Sequence, residues 1–341
     1  MPKRLAINGF GRIGKSFLRA YVESLSSGDN WPFEIAMVNS NQLLPEQAAH
    51  LFKYDSTHGT FPGSVIAQNN HLIINDKIKV EIKAENDLAK LDWQRDNIDL
   101  VVECTGRFNT LEEAGKHLTV AKAKKVLVSA PCANADVTFV YGVTPNERLA
   151  DKSVISVGSC TTNCLAPILK VLQTVCGVES GFMTTVHAYT NDQEILDARH
   201  KDWRRGRSAA TSIIPTSTGA AKSIGEVLPE LKGKIHGSAL RVPTPNVSLI
   251  DLSFIPTKSV SVDQISDAMQ KYAAQYPNVM SITNQPLVSI DFNHTIYSAI
   301  FDSTQTCIVA NGLVRVVAWY DNEWGFVHRM LDTCGLLASQ L

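Results

Sequence analysis

The sequence predicts an α/β fold in the first part of the chain and an α+β region with a mostly antiparallel sheet in the second. In the first part, short runs that are apolar throughout alternate with stretches of helical periodicity. This alternation indicates a parallel sheet with helices on both faces. After Cys160, strand-like runs follow one another with fewer helical interruptions, which favours a mixed or antiparallel sheet.

The predicted elements of the first part are short and bounded by turn residues, as buried strands usually are. The strands are Lys3 to Asn8, Phe33 to Asn39, Ile98 to Cys104, Lys125 to Ser129 and Val154 to Val157. The helices include Gly14 to Leu25 and Thr110 to Ala123.

The second part begins with a predicted helix, Thr161 to Gln173, and ends with another, Gly325 to Ser339, which we expect to pack back on the first domain. Between them we predict the strands Gly181 to Ala188, Ser238 to Val242, Ser248 to Pro256, Thr295 to Asp302 and Leu313 to Tyr320, and the helix Ser261 to Gln275. We therefore expect residues 1–159 with 324–341 to form one domain and residues 160–323 to form the other.

The composition is that of an ordinary globular chain. Its 341 residues suggest about two domains, and a net charge of −1 gives no general attraction to nucleic acid or to an anionic membrane. No apolar run approaches the roughly 18 residues of a membrane span, and the N-terminal residues do not resemble a secretion signal. An odd count of seven cysteines favours free thiols. We expect a cytoplasmic protein.

A glycine-rich turn follows the first predicted strand. Gly9, Gly11 and Gly14 form a GxGxxG motif that opens the first helix. The first glycine allows a tight turn, the second lets the backbone approach a pyrophosphate, and the third lets helix and strand pack closely. The N–H groups of the helix N-terminus then face the phosphates. The motif predicts a Rossmann dinucleotide-binding domain, and a glycine turn without a ligand is the alternative.

The end of the second strand should select between NAD and NADP. An acidic residue there would hydrogen-bond the adenosine ribose and repel a 2′-phosphate. This chain has Ser40 and Asn41 instead, whose side chains are able to donate to a phosphate. The alternative is that these two residues only cap a turn and that NAD is held by other contacts.

Cys160 lies between a predicted strand and a predicted helix. Free amides at a helix N-terminus stabilise a thiolate and are able to hold an oxyanion. His187 is the candidate base, because a Cys–His pair lowers the thiol pKa and transfers a proton. A small core cysteine and a structural histidine are the alternative. Cys164 follows one helical turn later, but no second Cys/His pair accompanies it, so we expect no metal site.

Hydroxyl and cationic groups suited to a phosphorylated substrate lie in turn-rich segments after strands, with Arg241 as the charge-assisted donor. These candidates are Thr190, Asp192, Thr218, Gly219 and Arg241. The segment Arg199 to Arg207 is strongly basic, which fits an RNA-binding patch or a loop with local ion pairs or a subunit contact. The nearly neutral overall charge favours the loop, so nucleic acid is not expected as the primary partner.

Over essentially its whole length, the chain resembles phosphorylating glyceraldehyde-3-phosphate dehydrogenases. The similar stretches are INGFGRIG at Ile7 to Gly14, KYDSTHG at Lys53 to Gly59, ECTG at Glu103 to Gly106, SCTTNCLAP at Ser159 to Pro167, PTSTGAAK at Pro215 to Lys222, RVPTPNVS at Arg241 to Ser248 and WYDNEWGF at Trp319 to Phe326. Of these stretches, SCTTNC is highly specific.

The resemblance implies a mechanism and the residues that carry it. Cys160 would attack the aldehyde, His187 would take the thiol proton, hydride would pass to NAD or NADP, and inorganic phosphate would cleave the resulting thioester. Thr190 and Arg241 would hold the substrate phosphate, with Asp192 orienting Arg241. The attacking phosphate would lie among Ser159, Thr161, Thr218 and Gly219. The further cofactor contacts would be Arg12, Ile13, Thr105, Ser129 and Asn322. The family also implies a homotetramer.

Three departures from the family pattern matter. NAD-specific members have Asp where Ser40 stands, and they often have Leu-Pro where this chain has Ala198 and Arg199. Both changes favour NADP or dual use, and Arg199 would supply charge to a 2′-phosphate. Val157 and Gly158 replace the usual Asn-Ala, which bears on the geometry of the turn before the nucleophile.

Two other functions remain as alternatives. Erythrose-4-phosphate dehydrogenase is a sister branch with the same nucleophile, and the segment Asp291 to Thr306 is similar to it. The intact Thr190 and PTSTG run favour phosphorolysis of the thioester over hydrolysis. A non-enzymatic RNA-binding or adhesin role is disfavoured because Cys160 and His187 are both present.

Overall fold

The computed structural model describes residues 2–341, which group into two compact units. Unit 1 comprises the chain up to Phe139, Pro145–Gly158 and Val327–Leu341, and unit 2 comprises Val140–Thr144 and Ser159–Phe326. The placement of residues 140–144 with unit 2 was not anticipated. The domain limits expected above, 1–159 with 324–341 and 160–323, stay a prediction.

Unit 1 has alternating strands and helices, and the expected α/β class is confirmed. Its strands are β1 (Lys3–Asn8), β2 (Phe33–Asn39), β3 (Val65–Gln68), β4 (His71–Ile74), β5 (Ile78–Lys83), β6 (Leu100–Glu103), β7 (Lys125–Val128), β8 (Val137–Thr138) and β9 (Val154–Ser156). Its helices are α1 (Arg12–Ser26), α2 (Pro45–Lys53) and α3 (Leu111–Thr119). In the described chain these strands form one sheet in the order β3-β4-β5-β2-β1-β6-β7-β9-β8.

The parallel part of this sheet brings the C-terminal ends of β1, β2 and β6 together. Strand β1 pairs in parallel with both β2 and β6. Leu5, Ala6 and Ile7 of β1 are fully buried, as expected for a central strand covered on both faces. The glycine turn after β1 therefore lies beside the ends of β2 and β6, where open α/β sheets bind their ligands.

The sequence did not predict the segment between α2 and β6. Strands β3, β4 and β5 pair antiparallel with one another at one side of the sheet. They are short, and several of their residues are exposed. Asn69, Asn75 and Asp76 take positive φ angles in the turns, which Asn and Asp tolerate better than most residues. Strands of this length carry too little apolar periodicity to be recognised.

Unit 2 contains a second sheet, and the expected mostly antiparallel arrangement is confirmed. Its strands are β10 (Val178–Ala188), β11 (Ile214–Ser217), β12 (Ile235–Val242), β13 (Ser248–Pro256), β14 (Met280–Thr283), β15 (Ala299–Ile308) and β16 (Val314–Tyr320). Its helices are α4 (Cys160–Val175), α5 (Ala220–Val227) and α6 (Val262–Gln275); α7 (Trp324–Ala338) begins here, and its greater part belongs to unit 1. The strand order of this described sheet is β11-β12-β10-β13-β16-β15-β14, and only β10–β12 and β14–β15 pair in parallel.

Most predicted elements of unit 2 agree with the structure, but one strand is shifted and three elements were missed. The strand expected at Thr295 to Asp302 runs over β15, from Ala299 to Ile308. Helix α5 and strands β11 and β14 were not predicted. Helix α4 is buried along most of its length and shares an apolar core with the strands of the sheet. None of the helices described in residues 2–341 is long and apolar enough to cross a membrane.

Candidate active site

Cys160 is the first residue of helix α4. Ser159 before it is extended, and its Oγ accepts a hydrogen bond of 3.1 Å from the backbone N–H of Thr162. Serine is a favoured residue at this position, because its hydroxyl satisfies an N–H that the helix leaves unpaired. The sequence therefore fixes the start of the helix at the cysteine, which lies among the free amides of the first turn.

His187 lies next to the end of β10, and its ring reaches Cys160. The distance between Cys160 Sγ and His187 Nε2 is 3.4 Å. Strand β10 pairs in parallel with β12, and in that register His187 lies opposite Arg241. The structure thus brings together three residues that the sequence proposed separately. His187 is 3% exposed, so its ring is shielded from water.

The charges around the pair differ from the expectation for a lowered thiol pKa. Burial raises the pKa of the Cys160 thiol, although Arg241, the Thr161 backbone N–H and the Thr161 hydroxyl act against that rise. Burial and the positive charge of Arg241 lower the pKa of His187 to about 3. We therefore expect a neutral thiol beside a neutral imidazole. The expectation of a low thiol pKa from the helix and the histidine was wrong, because it left out the cost of desolvating a charge.

Arg241 contacts the other nitrogen of the same imidazole. Its Nη1 lies 2.7 Å from His187 Nδ1 and 3.0 Å from the carbonyl oxygen of Ala188. Burial lowers the pKa of Arg241 from its usual value. Arginine stays protonated even so, so the site contains one buried positive charge next to the thiol.

That Asp192 orients Arg241 stays a prediction: the negative charge of Asp192 acts to raise the pKa of Arg241, while its carboxylate is bonded to another arginine. Its Oδ2 accepts a hydrogen bond of 2.5 Å from Nη1 of Arg205. Arg205 also donates through Nε to the hydroxyl of Thr216 on β11, at 2.8 Å. By donating to both partners, the guanidinium of Arg205 joins the basic loop to the sheet. Arg207 is likewise paired with Asp197, at 2.8 Å, which agrees with the interpretation of the basic segment as a loop with local ion pairs.

The remaining phosphate candidates lie at turns and helix starts of unit 2. The backbone N–H of Thr190 donates to Gln193 at 3.0 Å. Thr218 precedes the N-cap residue Gly219 of α5, and its hydroxyl accepts from the backbone N–H of Ala220 at 3.2 Å. Thr161 is 4% exposed, and its hydroxyl lies 2.9 Å from the hydroxyl of Tyr320. Because the hydroxyl is engaged in this way, we expect Thr161 to contact a phosphate through its backbone N–H.

Asn322 is joined to the histidine strand by Ser248. The Ser248 hydroxyl accepts a hydrogen bond of 3.0 Å from the backbone N–H of Ala188 and donates one of 2.8 Å to Oδ1 of Asn322. Asn322 is 5% exposed. With its oxygen engaged in this way, its amide N–H groups are the atoms suited to a carboxamide oxygen.

The glycine turn of unit 1 has the shape that a dinucleotide requires. Gly9 has φ +100°, and a Cβ there would lie 2.7 Å from the backbone nitrogen of Thr105. A Cβ on Gly14 would lie 2.0 Å from the carbonyl oxygen of Gly9. No atom lies within 4 Å of where a Cβ on Gly11 would be, so its backbone is open to a ligand. These are the close contacts and the open backbone that the three glycines of a pyrophosphate-binding turn provide.

Arg12 and Thr105 are held by carboxylates below this turn. The guanidinium of Arg12 donates to Asp55 at 2.5 Å and 3.2 Å, and Lys15 Nζ lies 2.6 Å from the same carboxylate. Burial acts to raise the pKa of Asp55, but these partners together hold it well below its usual range. Since its side chain is directed to Asp55, Arg12 offers a phosphate its backbone N–H, as does Ile13 after it.

Glu103 organises the end of β6 through a buried network. Its carboxylate accepts from the backbone N–H of Thr105 at 2.6 Å, from the Thr105 hydroxyl and from Asn8 Nδ2 at 2.7 Å. Trp93 Nε1 lies 3.2 Å from His117 Nδ1, so the opposite nitrogen of His117 carries the proton and donates to Glu103 at 2.9 Å. The network fixes Thr105 beside the glycine turn. Ser129 lies at the end of β7, and its backbone N–H donates to the carbonyl of Glu103.

A groove runs from the glycine turn to the end of β2. It is lined by Asn8, Gly9, Phe10, Gly11, Asn39, Ser40, Asn41, Glu85, Asn86, Leu88, Leu91, Cys104, Thr105, Arg107 and Phe108. Asn39 exchanges two hydrogen bonds of 3.0 Å with the backbone of Glu85, which places that acidic residue beside Ser40. Arg107 donates to Asn86 at 2.8 Å in the same groove. The end of the groove that would receive an adenosine ribose thus carries one acidic and one basic side chain.

Comparison with protein families identifies both parts of the chain. Residues 3–111 match the NAD binding domain of glyceraldehyde 3-phosphate dehydrogenase, and residues 159–322 match its C-terminal domain. A protein named glyceraldehyde-3-phosphate dehydrogenase from Zymomonas mobilis is 47% identical over all of both chains. The chain belongs to the glyceraldehyde 3-phosphate dehydrogenase family. Proteins of that name from Xanthobacter flavus, 49% identical, and Cereibacter sphaeroides, 47% identical, each match over 98% of both chains.

Family membership makes one departure in this chain easier to interpret. Gly158, in place of the usual alanine before the nucleophile motif, has φ +67°. Glycine takes this conformation at little cost, whereas alanine is strained by it. The turn into Cys160 is thus one for which glycine is the favoured residue.

Among residues 2–341, no group of three or more His, Cys, Asp or Glu side chains is arranged to hold a metal ion.

Several residues that shape the site in this family member were not assigned from the sequence. They are Thr185, Arg205, Ser248, Tyr320, Glu85 and Glu103. Tyr320 and Ser248 lie inside stretches that carry the family resemblance, so the sequence held a signal for these two residues. Thr185 shares a strand face with His187, since alternate residues of a strand point the same way. For Glu85 and Arg205 we find no signal in the sequence, because their partners are distant along the chain.

Proposed function

We propose that this chain is a phosphorylating glyceraldehyde-3-phosphate dehydrogenase. It oxidises D-glyceraldehyde 3-phosphate with NAD or NADP and releases 1,3-bisphosphoglycerate, in a reversible reaction that serves glycolysis and gluconeogenesis. The observation that carries the proposal is the distance of 3.4 Å between Cys160 Sγ and His187 Nε2 at a capped helix start. A thiol nucleophile and its base require this arrangement. The names of the relatives supply the substrate.

In the first step, Cys160 attacks the aldehyde carbon. The C–S bond forms, the π bond of the carbonyl breaks, and His187 Nε2 accepts the thiol proton, so the product is the anion of a thiohemiacetal on the cysteine. A neutral imidazole is needed for this transfer, and burial together with Arg241 holds the pKa of His187 to about 3. The free amides of the first turn of α4 stabilise the oxygen that becomes negative.

Oxidation of the thiohemiacetal leaves an acyl thioester on Cys160. A nicotinamide bound in unit 1 supplies the hydride acceptor. Inorganic phosphate then attacks the thioester carbon, the C–S bond breaks, and the acyl phosphate leaves while Cys160 is regenerated. Protonated His187 returns its proton to the thiolate in this half of the cycle.

Two phosphate sites complete the proposal. Thr190 and Arg241 hold the phosphate of the substrate, because a guanidinium gives a charge-assisted hydrogen bond to a phosphate oxygen. Ser159, Thr161, Thr218 and Gly219 receive the attacking phosphate, chiefly through backbone N–H groups at the starts of α4 and α5. Asp192 acts through Arg205, to which it is bonded.

We further propose that the enzyme accepts NADP as well as NAD. Gly9, Gly11 and Gly14 with the N–H groups of Arg12 and Ile13 bind the pyrophosphate. The further contacts come from Ser40, Thr105, Ser129 and Asn322. Ser40 puts no negative charge near a 2′-phosphate, and Arg107 in the same groove attracts one. Glu85 opposes this preference, so dual use fits better than strict NADP use.

The active form is proposed to be a homotetramer in the cytoplasm. The loop from Glu194 to Arg207 exposes Ile195, Leu196 and Trp203, which are 79%, 76% and 89% accessible in the single chain. Large apolar side chains exposed together often mark a contact with another protein. Sedimentation of the purified protein tests the assembly, and a monomer at micromolar concentration would contradict it.

Steady-state kinetics test the reaction. We expect turnover of glyceraldehyde 3-phosphate that requires inorganic phosphate, with NAD or NADP as acceptor. Turnover of erythrose 4-phosphate without phosphate would support the sister activity instead. Alkylation of Cys160 should abolish the reaction stoichiometrically. Retained RNA binding with no dehydrogenase activity in the unmodified protein would support the non-enzymatic alternative.

A further inference from the structure

Tyr320 is the last residue of β16 and is 1% exposed. Its hydroxyl lies 2.9 Å from the hydroxyl of Thr161 on α4 and 2.9 Å from the hydroxyl of Thr185 on β10. Thr161 is the residue after Cys160, and Thr185 comes two residues before His187 on the same strand face. One phenol hydroxyl therefore connects the helix that carries the thiol to the strand that carries the imidazole.

The donors in this group of hydroxyls can be assigned by counting hydrogens. Thr185 Oγ1 donates to the carbonyl oxygen of Leu249 at 3.0 Å, so towards Tyr320 it can only accept. Tyr320 has a single hydrogen, which goes to Thr185, and it must then accept from Thr161. Burial and the neighbouring cysteines keep the pKa of Tyr320 well above its usual value, so the phenol keeps that hydrogen. The chain of donors runs from Thr161 through Tyr320 and Thr185 to Leu249.

The groups that face this phenol are those of the catalytic pair. Its ring meets the ring of His187 edge-on, with centroids 5.9 Å apart and an interplanar angle of 74°. Cys160 and Cys164 of α4 and Arg241 of β12 are the other titratable or charged groups near it. Full burial of three hydroxyl groups is favourable only when each has its partner. Removing one therefore affects the positions of both others.

We propose that Tyr320 is a positioning residue for the Cys160–His187 pair. Its two hydrogen bonds hold the start of α4 against β10 and thereby maintain the distance between Sγ and Nε2. The proposal rests on the assignment of Cys160 as nucleophile, and it concerns a residue that is 1% exposed and acts through the catalytic pair. Without the phenol hydroxyl, the Thr161 hydroxyl loses its acceptor and the two elements are free to separate. Misplacement by about 1 Å is enough to slow a reaction by about a hundredfold.

The test is Tyr320→Phe in the full chain, with the rate of alkylation of Cys160 by iodoacetamide as readout. The chain has seven cysteines, so the adduct is located by fragmenting the peptide in the mass spectrometer, which separates Cys160 from Cys164 in the same peptide. We expect the rate at pH 7 to fall about tenfold or more. We also expect the pH at half-maximal rate to rise, because His187 Nε2, which carries the ring proton while Nδ1 accepts from Arg241, no longer stabilises the thiolate. Alkylation needs neither substrate nor cofactor, so this result stands or falls separately from the proposed reaction.

Tyr272→Phe is the matched control. Tyr272 is also buried in unit 2, and its hydroxyl donates to the backbone carbonyl of Gly142 at 3.0 Å. We expect a similar loss of melting temperature for both variants but a change in alkylation only for Tyr320→Phe. If Tyr320→Phe does not fold, Thr185→Val breaks the same connection and should give the same change. An alkylation profile that stays at the wild-type value, or that moves to lower pH, in the folded variant overturns the proposal.

Discussion

Arg241 Nη1 lies 2.7 Å from Nδ1 of His187. A guanidinium only donates, so this contact requires a Nδ1 without hydrogen and puts the proton on Nε2, the atom that faces the thiol. The same Nδ1 lies 2.7 Å from the carbonyl oxygen of Ala188. When Nδ1 donates to that oxygen instead, Nε2 is free to accept the thiol proton. If Arg241 binds the substrate phosphate as proposed, we expect that contact to favour the tautomer that acts as a base.

Substitution of Arg241 tests this relationship. In Arg241→Gln we expect KM for the phosphorylated aldehyde to rise by about 30-fold or more, since truncating one partner of a buried charged contact costs about 2–5 kcal/mol. We also expect the pH profile of Cys160 alkylation to move to higher pH, because Arg241 lowers the pKa of the thiol. Both quantities come from steady-state and inactivation kinetics.

Arg315→Gln serves as the control for the removal of a positive charge in unit 2. Arg315 is bonded to Asp251 at 2.7 Å and lies on β16. The Arg315→Gln substitution should leave KM and the alkylation profile near their wild-type values. An equal change in both variants would mean that Arg241 acts through the overall charge rather than through its place beside His187.

Replacement of the nucleophile should separate chemistry from binding. Cys160→Ser is expected to abolish dehydrogenase activity, because a serine hydroxyl is a far weaker nucleophile than a thiol beside this histidine. Cofactor binding, followed by titration of protein fluorescence, should remain within about twofold, as a change of less than about 0.5 kcal/mol. Cys307→Ser, at an exposed thiol, should keep full activity. Substantial activity in Cys160→Ser would refute the assignment of the nucleophile.

His187 should make the stability of the fold depend on pH. Burial and Arg241 lower its pKa to about 3 in the folded chain, whereas an unfolded histidine titrates near 6.5. The unfolded chain then binds a proton that the folded chain does not, so this contribution to stability is present above about pH 6.5 and is lost as the pH falls towards 3. Between pH 7 and pH 4 we expect a loss of about 3 kcal/mol from this residue.

Denaturant unfolding at fixed pH values measures that loss. His187→Gln should reduce the difference in unfolding free energy between pH 7 and pH 4 relative to the wild type. Substitution of His71, a partly exposed histidine of unit 1, controls for removal of an imidazole. A pH dependence in His187→Gln as steep as that of the wild type would contradict the buried, neutral state of this residue.

Cofactor choice should respond to two residues at the end of β2. Ser40→Asp is expected to lower kcat/KM with NADP relative to NAD by about tenfold or more, through repulsion of the 2′-phosphate. Glu85→Gln should change the ratio in the opposite direction. Glu81→Gln is the control, since Glu81 lies on the neighbouring strand β5 but lines a different groove. A strong preference of the wild type for NAD would contradict the proposed dual use.

Local patterns predicted the elements of this protein where they are long or apolar throughout. Strands β1, β2 and β13 have the predicted limits, because their side chains meet a core that imposes a clear periodicity. Helix α6 has its predicted end and begins at Val262, with Ser261 as its cap, since a capping box marks its start. The strands β3 to β5 and β14 were missed, because a short strand carries only a few residues of pattern.

The site was predicted in its members but not in its connections. Cys160, His187 and Arg241 were named from their types, positions and family motifs, and they lie together in unit 2. For Asp192 the structure shows Arg205 as a hydrogen-bond partner, and its role in orienting Arg241 stays a prediction. The expected lowering of the thiol pKa was wrong, because that pKa depends on how deeply α4 and β10 bury the pair.

By itself, the sequence determined the glycine turn, a helix start within one residue of Cys160 and the family to which the chain belongs. These are local properties, since a turn, a helix cap and a motif each depend on a few consecutive residues. Only the tertiary structure decided that Tyr320 connects Thr161 to Thr185 and that Arg241 contacts Nδ1 of His187. Those contacts join residues far apart in the chain, and their geometry follows from the packing of strands and helices rather than from any local pattern.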